Sequence, residues 1–276
     1  DLLQAIEEIK KQGVEAVAVG FLNSYVNNTH ETHAGRLLRT HLPEVPHTLS
    51  SETVREIREY PRFSTTVMNA YLLRLLRIYI GDLGEALRSG GYKGKTYFMS
   101  SIAGLISDEM AAAQPVKLVL SGPAAGVSGG SYLGNALGAQ NLITYDMGGT
   151  STDVCLIKDL APQVSTNRVY LAYPIMTPMV DVKTIGAGGG SIIWVDRTGA
   201  LNVGPQRAGA NPGPACYAQD GGQFTITDAN LILGRINPNG LLGGNVPLRF
   251  DLAEEAARSI CELVNIPDVY RLAEGA

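Results

Sequence analysis

The sequence predicts an α/β protein with mixed sheets flanked by helices. Three observations carry this: helix and strand patterns alternate through the first half, two apolar runs enclose a tight Gly-Gly turn within 141–157, and short strands with glycine-rich loops follow. A chain of 276 residues, 45% hydrophobic and 17% charged, can bury a core in one large or two ordinary domains. Its net charge of −4, without a basic cluster or basic helix, argues against nucleic acid or an anionic membrane as a partner. No apolar run approaches the ~20 residues of a membrane helix and no charged-then-apolar leader opens the chain, so a soluble, cytoplasmic protein is expected. Cys155, Cys216 and Cys261 lie far apart without Cys-x-x-Cys spacing, which suggests neither disulfides nor zinc.

Residues 1–12 carry Leu2, Leu3, Ala5, Ile6 and Ile9 at helical spacing, and Gly13 stops that helix. A strand over 14–22, a helix over 29–42 closed by Pro43 and Pro46, and a strand at 47–50 follow, an order that reads as parallel sheet covered by helices. His30-Glu31-Thr32-His33 spaces its histidines by three where a zinc-protease helix needs four, so a solvated polar helix face is expected. The charged segment 51–60 and Pro61 lead to a long helix from near Phe63. Its apolar face is assigned to Thr65, Thr66, Val67, Ala70, Tyr71, Leu72, Leu75, Leu76, Tyr79, Ile80, Leu83 and Leu87. A strand at 96–100, a helix capped by Ser107 and ending at Pro115, a strand at 117–120 and a Gly- and Ala-rich helix from Ser121 to Leu137 complete this half.

Beyond the hairpin, strands are expected at 163–165, 168–173, 180–183, 191–196 and 200–203. Gly186-Ala187-Gly188-Gly189-Gly190 precedes the β-rich Ser191-Ile192-Ile193-Trp194-Val195, whereas a dinucleotide fingerprint opens a helix, so no Rossmann site is expected. Its glycines suit close approach of backbone to a ligand or another strand. The loop 204–222 is too long for a simple connection. Cys216 within it has no histidine nearby in sequence and is expected to pack rather than to attack a substrate. Thr227 reads as a helix cap with Asp228 near the dipole, 240–244 as a loop, and 251–264 as a final amphipathic helix.

The candidate site is the turn Asp146-Met147-Gly148-Gly149-Thr150-Ser151-Thr152-Asp153. Gly148, Gly149, Thr150, Ser151 and Thr152 bare N–H groups and hydroxyls that can hold phosphate, and Asp146 and Asp153 flank them with carboxylates that can hold magnesium. A Gly-Gly turn alone is more often only a plain hairpin.

This stretch resembles the second phosphate hairpin of the actin-like ATPase superfamily, where an Asp-x-Gly-Gly-Thr turn holds β- and γ-phosphates with a divalent metal. Within that superfamily the chain resembles the hydantoinase A and 5-oxoprolinase family over nearly its whole length. The resemblance is carried, in the family's order, by Ser121-Gly122-Pro123-Ala124-Ala125-Gly126, the hairpin, and the blocks at 184–191, 208–217 and 227–235. Pro61 and Phe63 depart from the family's Arg-Glu-Tyr-Glu-Arg-like approach to the long helix, and Ile102-Ala103-Gly104 from its paired glycines, so neither segment is assigned ligand contacts.

The resemblance implies actin-like, ribonuclease H-like ATPase lobes. Residues 1–139 would be the C-terminal part of the first lobe with connecting helices, and 140–276 the second lobe with the hairpin and glycine-rich loops. The chain would be an internal piece, its partner hairpin lying before Asp1 and its adenosine loop beyond Ala276. ATP and Mg2+ are the implied cofactors, with Gly148, Gly149, Thr150, Ser151, Thr152, Gly188, Gly189 and Gly190 binding nucleotide. Asp146 and Asp153 would be metal ligands and catalytic residues. The implied activity is ATP-dependent hydrolysis of a small cyclic amide, a hydantoin or 5-oxoproline ring, through phosphoryl activation of the lactam carbonyl, often with a second, HyuB-like subunit or domain. Alternatives are an ATP-dependent ketone carboxylase subunit and a nucleotide-dependent binding or scaffold protein of the superfamily. The blocks at 186–191 and 208–217 favour the hydrolase, and the piece by itself is expected to be inactive.

Overall fold

A computed structural model describes residues 1–166, 168–170, 172–239 and 247–276. The loop expected at 240–244 lies outside the described residues. Two compact units divide the chain: Asp1–Leu142 with Leu156–Asp181, and Ile143–Cys155 with Val182–Ala276. Helix and strand mix in both, as the sequence predicts.

The first unit opens with α1 (Leu2–Lys11), β1 (Val17–Val19), α2 (Thr29–His41) and β2 (His47–Leu49). β1 and β2 pair in parallel, with Val17 opposite His47. Ile6, Val19, Ala34, Leu38, Leu42 and Leu49 form the core between them and the helices. The short α3 (Ser50–Thr53) precedes α4 (Glu59–Ser89), a helix of 31 residues. Helix α4 starts before the expected Phe63 because Pro61 falls in its first turn, where a missing N–H removes no intrahelical bond.

The buried face of α4 also differs from the one expected. Arg62, Thr65, Thr66, Asn69, Ala70, Leu73 and Ile80 are inside, while Val67, Tyr71, Leu75 and Tyr79 are exposed. Burial of polar groups is tolerated because they are paired. Asn69 Nδ2 donates to Thr48 Oγ1 at 3.0 Å, Asn69 Oδ1 accepts from Val116 N at 3.1 Å, and Thr65 Oγ1 accepts from Met176 N at 2.9 Å. At the head of α4, Arg62 meets Glu31 of α2 at 3.8 Å, both side chains fully buried. Glu31 Oε1 accepts from Phe21 N at 2.8 Å and Ser50 Oγ at 2.6 Å, and its Oε2 from Ser51 N at 2.8 Å. Burial alone would raise the Glu31 pKa, but these hydrogen bonds together outweigh it and hold the carboxyl below its ordinary value. The segment expected to be a solvated face is thus exposed at His30 and His33 and turned inward at Glu31.

An antiparallel pair, β3 (Tyr97–Met99) and β4 (Leu105–Ser107), leads to α5 (Asp108–Ala113), where Ser107 Oγ accepts from Met110 N at 3.2 Å as a cap should. The strand expected at 117–120 is instead a 3-10 turn over Pro115–Leu118. Ser101 ties this turn down: Lys117 O accepts from Ser101 N at 2.7 Å, and Ser101 Oγ lies 2.7 Å from both Lys117 O and the following Val119 O. Helix α6 (Ser121–Leu137) follows as predicted. Next come β5 (Leu142–Met147) and β6 (Thr152–Lys158), then β7 (Ala161–Pro162), β8 (Val164–Ser165), β9 (Arg168–Tyr170), β10 (Tyr173–Ile175) and β11 (Met179–Val180). β9 pairs with β10 and β8 with β11, both antiparallel. Val116, Ile175 and Met179 form a second core of this unit.

The second unit contains β12 (Lys183–Ile185), the antiparallel pair β13 (Ser191–Val195) and β14 (Leu201–Arg207), then α7 (Ile226–Ile232), α8 (Phe250–Val264) and α9 (Val269–Gly275). Helix α9 lies beyond the last helix expected. Ile193, Cys216, Phe224, Leu231, Ile232, Ala253, Ala257 and Leu272 are in its core. Among the described residues, no helix is long and apolar enough to cross a membrane.

Candidate functional site

β5 and β6 are the arms of the hairpin, and the strand order is β12-β6-β5. Gly148 N donates to Ser151 O at 2.9 Å, which sets 148 against 151. Two residues further along each arm Asp146 comes opposite Asp153, and two more bring Thr144 opposite Cys155, where Thr144 Oγ1 lies 3.4 Å from Cys155 O. Residues directly opposite on an antiparallel pair project from the same face, so the two carboxylates are neighbours. On the other side of β6, Thr184 pairs with Asp153 and its Oγ1 donates to Asp153 Oδ1 at 2.6 Å. Asp146 is exposed, and its carboxylate has no hydrogen-bond or ion-pair partner among the described residues.

The turn is held from behind by the glycine-rich loop at 186–190. Gly148 O accepts from Gly189 N at 2.9 Å and Gly149 O from Gly190 N at 2.7 Å. A planar trans peptide points its C=O and N–H in opposite directions. With both carbonyls turned to the loop, the N–H groups of Gly149 and Thr150 therefore face away from it, and they donate to nothing among the described residues. Two successive free N–H groups make a concavity suited to an anion.

Gly188, Gly189 and Gly190 are thus packed on the hairpin backbone, in the close approach that glycine permits. A Cβ on Gly188 would sit 2.7 Å from Ser151 N, and one on Gly190 would sit 2.9 Å from Gly149 O. Thr152 is buried and its Oγ1 donates to Ala187 O at 2.6 Å, tying the same loop to the β6 arm. Thr150 is exposed at the tip and Ser151 half-buried. Among the described residues no group of three or more His, Cys, Asp or Glu gathers as a metal site, so the carboxylates available to a cation at the turn are those of Asp146 and Asp153.

Sequence reasoning missed Thr184, whose partner depends on strand order, and misassigned the cap of α7. The N-cap is Thr225: its Oγ1 accepts from Asp228 N at 3.4 Å, and Asp228 Oδ2 accepts from Thr225 N at 2.9 Å. The Thr-x-x-Asp spacing of a capping box was the available signal. Asp228, fully buried, also accepts from Cys216 N at 2.8 Å and Ala215 N at 3.3 Å. Burial, and then the Asp228 charge, push the Cys216 thiol far above its ordinary pKa, which leaves no thiolate for nucleophilic attack.

The hydantoinase/oxoprolinase family model matches residues 62–276, and the model of that family's N-terminal region matches residues 1–42. Caprolactamase subunit alpha of Pseudomonas jessenii is 41% identical over 272 residues, covering 98% of this chain and 39% of the relative. A 5-oxoprolinase of Saccharomyces cerevisiae is 38% identical over 234 residues, covering 82% and 17%. The crystal structure of ATP-dependent caprolactamase from P. jessenii matches with a TM-score of 0.81 at 40% identity, over 99% of this chain and 40% of that one. Nucleotide-free acetone carboxylase matches with a TM-score of 0.74 at 27% identity, over 99% and 39%. The chain therefore spans two fifths or less of the length of these proteins. With one family model covering most of the chain and the N-terminal model covering its start, the chain belongs to the hydantoinase/oxoprolinase family.

Proposed function

We propose that this chain supplies the second-lobe phosphate hairpin of an ATP-dependent enzyme that opens cyclic amides. The observation that carries the reading is one turn combining two free N–H donors with two facing carboxylates. Like charges opposite one another on neighbouring strands repel. A divalent cation between them would reverse the sign, and Mg2+ commonly takes one or two carboxylates and completes its shell with water and phosphate oxygens. Asp146 and Asp153 fit that role, with Thr184 orienting Asp153. The N–H groups of Gly149 and Thr150 and the Thr150 hydroxyl fit phosphate oxygens, and Gly148, Ser151, Thr152 and residues 188–190 support the turn.

In this reading, residues 1–139 and 140–276 belong to the first and second lobes of an actin-like ATPase. ATP would transfer its γ-phosphoryl group to the amide carbonyl oxygen with release of ADP, making the carbonyl carbon electrophilic enough for water to add. The ring C–N bond would then break with a proton taken up by nitrogen, and the phosphoryl group would end as inorganic phosphate. The chain's own contribution is positional: fixed donors and charges at the place where phosphate charge develops. Caprolactamase and 5-oxoprolinase are both named for lactams, which supports a small cyclic amide as the substrate class, and the naming of a caprolactamase alpha subunit supports a second subunit as partner. Acetone carboxylase favours a ketone carboxylase as the second reading, at 27% identity against 40% for caprolactamase.

Calorimetric titration of the protein, at the length of its relatives, with magnesium and a non-hydrolysable ATP analogue tests the assignment. Binding that disappears in a folded Asp146→Ala variant, together with loss of lactam-dependent ATP turnover, is expected. Wild-type turnover in that variant would refute it.

A further inference from the structure

The glycine-rich loop that fixes the hairpin carbonyls is itself clamped from its far side. Gly189 O accepts from Thr227 N at 2.8 Å, and a Cβ on Gly189 would sit 2.7 Å from Thr227 Oγ1. Gly189 therefore lies between the Gly148 carbonyl and the first turn of α7, with no room for a methyl group. Thr227 is anchored in turn. It sits inside the Thr225–Asp228 capping box, and the buried Asp228 carboxylate gathers N–H groups from Thr225, Ala215 and Cys216. Helix α7 joins the unit's core through Ala229, Leu231 and Ile232.

We propose that Thr227 is a positioning residue for the phosphate hairpin: its N–H draws the 186–190 loop in, and its hydroxyl sets the closest approach. The loop then turns both hairpin carbonyls inward and both N–H donors outward. Shifting Gly189 by a few tenths of an ångström in either direction misaligns the donors of Gly149 and Thr150 without touching either residue. This role rests on the phosphate reading of the turn, and it assigns to the 227–228 segment more than the capping that its sequence suggests.

The test is a reciprocal rescue. Gly189→Ala places its methyl against Thr227 Oγ1, while the next neighbours, Gly148 O at 3.8 Å and Gly149 Cα at 4.0 Å, stay at ordinary contact distance. Thr227→Ala removes the blocking oxygen and leaves a gap that the new methyl can fill. Each single variant should lose affinity for the magnesium complex of a non-hydrolysable ATP analogue, Gly189→Ala by about tenfold or more, and the double variant should return to within about threefold of wild type. Affinity for AMP, which lacks the β- and γ-phosphates, should not change, whereas general loosening of the fold would weaken both ligands.

Amide hydrogen exchange of Gly148, Gly190 and residues 189 and 227 gives a readout that needs no nucleotide. It should accelerate in each single variant and recover in the double. Recovery of exchange without nucleotide binding by wild type would uphold the clamp and sink the phosphate reading. A double variant no better than Gly189→Ala in exchange would overturn the clamp itself.

Discussion

Replacing Glu31 by glutamine removes one charge from the buried cluster at the head of α4 while keeping the side chain's shape. The amide oxygen can still accept from Phe21 N and Ser50 Oγ, but its NH2 then faces the Ser51 N–H, donor against donor. Arg62 is left buried without its counter-charge. Removing one partner of a buried ion pair costs about 3–5 kcal/mol. Arg62 keeps its bonds to Ser24, Ser50 and Phe21 O and stays 4.9 Å from the Phe63 ring centroid, which points to the lower end, about 3 kcal/mol. In a domain of this size that lowers Tm by about 6–12 °C.

The acid limb supplies a second check with a defined sign. Because the folded carboxyl has a lowered pKa, the stability it contributes is fully present above its unfolded value near 4.5 and is lost as pH falls through the folded value. The amide of the Glu31→Gln variant does not titrate, so the gap between wild type and variant should close in acid. Thermal unfolding followed by circular dichroism, at neutral pH and stepwise down to about pH 3, measures both effects. A neutral-pH shift below about 2 °C, or a gap that does not change with pH, would refute the reasoning.

Two further outcomes are expected. Gly188→Ala puts its Cβ 2.7 Å from both Ser151 N and Thr150 C, backbone atoms that cannot yield as a side chain would; it should cost about 1–3 kcal/mol and abolish analogue binding, and analogue affinity equal to wild type would contradict the packing of loop on hairpin. Cys216, buried and held as a neutral thiol, should resist a thiol-specific reagent in the native protein and react once it is unfolded in urea; labelling at the unfolded protein's full rate under native conditions would show that the 208–217 loop opens.

The sequence by itself determined the parts whose partners are close along the chain. Asp146 and Asp153 lie symmetrically about Gly149-Thr150, so a tight turn is enough to set them opposite one another, and the alternation of helix and strand over 1–50 is enough for the parallel β1–β2 pair. The Ser107 cap was legible for the same reason. Tertiary structure alone decided that Glu31 turns inward to meet Arg62, that α4 buries Arg62 and Asn69 while Val67, Tyr71, Leu75 and Tyr79 stay exposed, and that the 186–190 loop backs the hairpin with Thr227 behind it. Those contacts join segments far apart in sequence, and the ones at the site run through backbone N–H and C=O groups. Every residue but proline carries the same such pair, so nothing in the side-chain pattern marks which carbonyl an N–H will find until packing has brought the segments together.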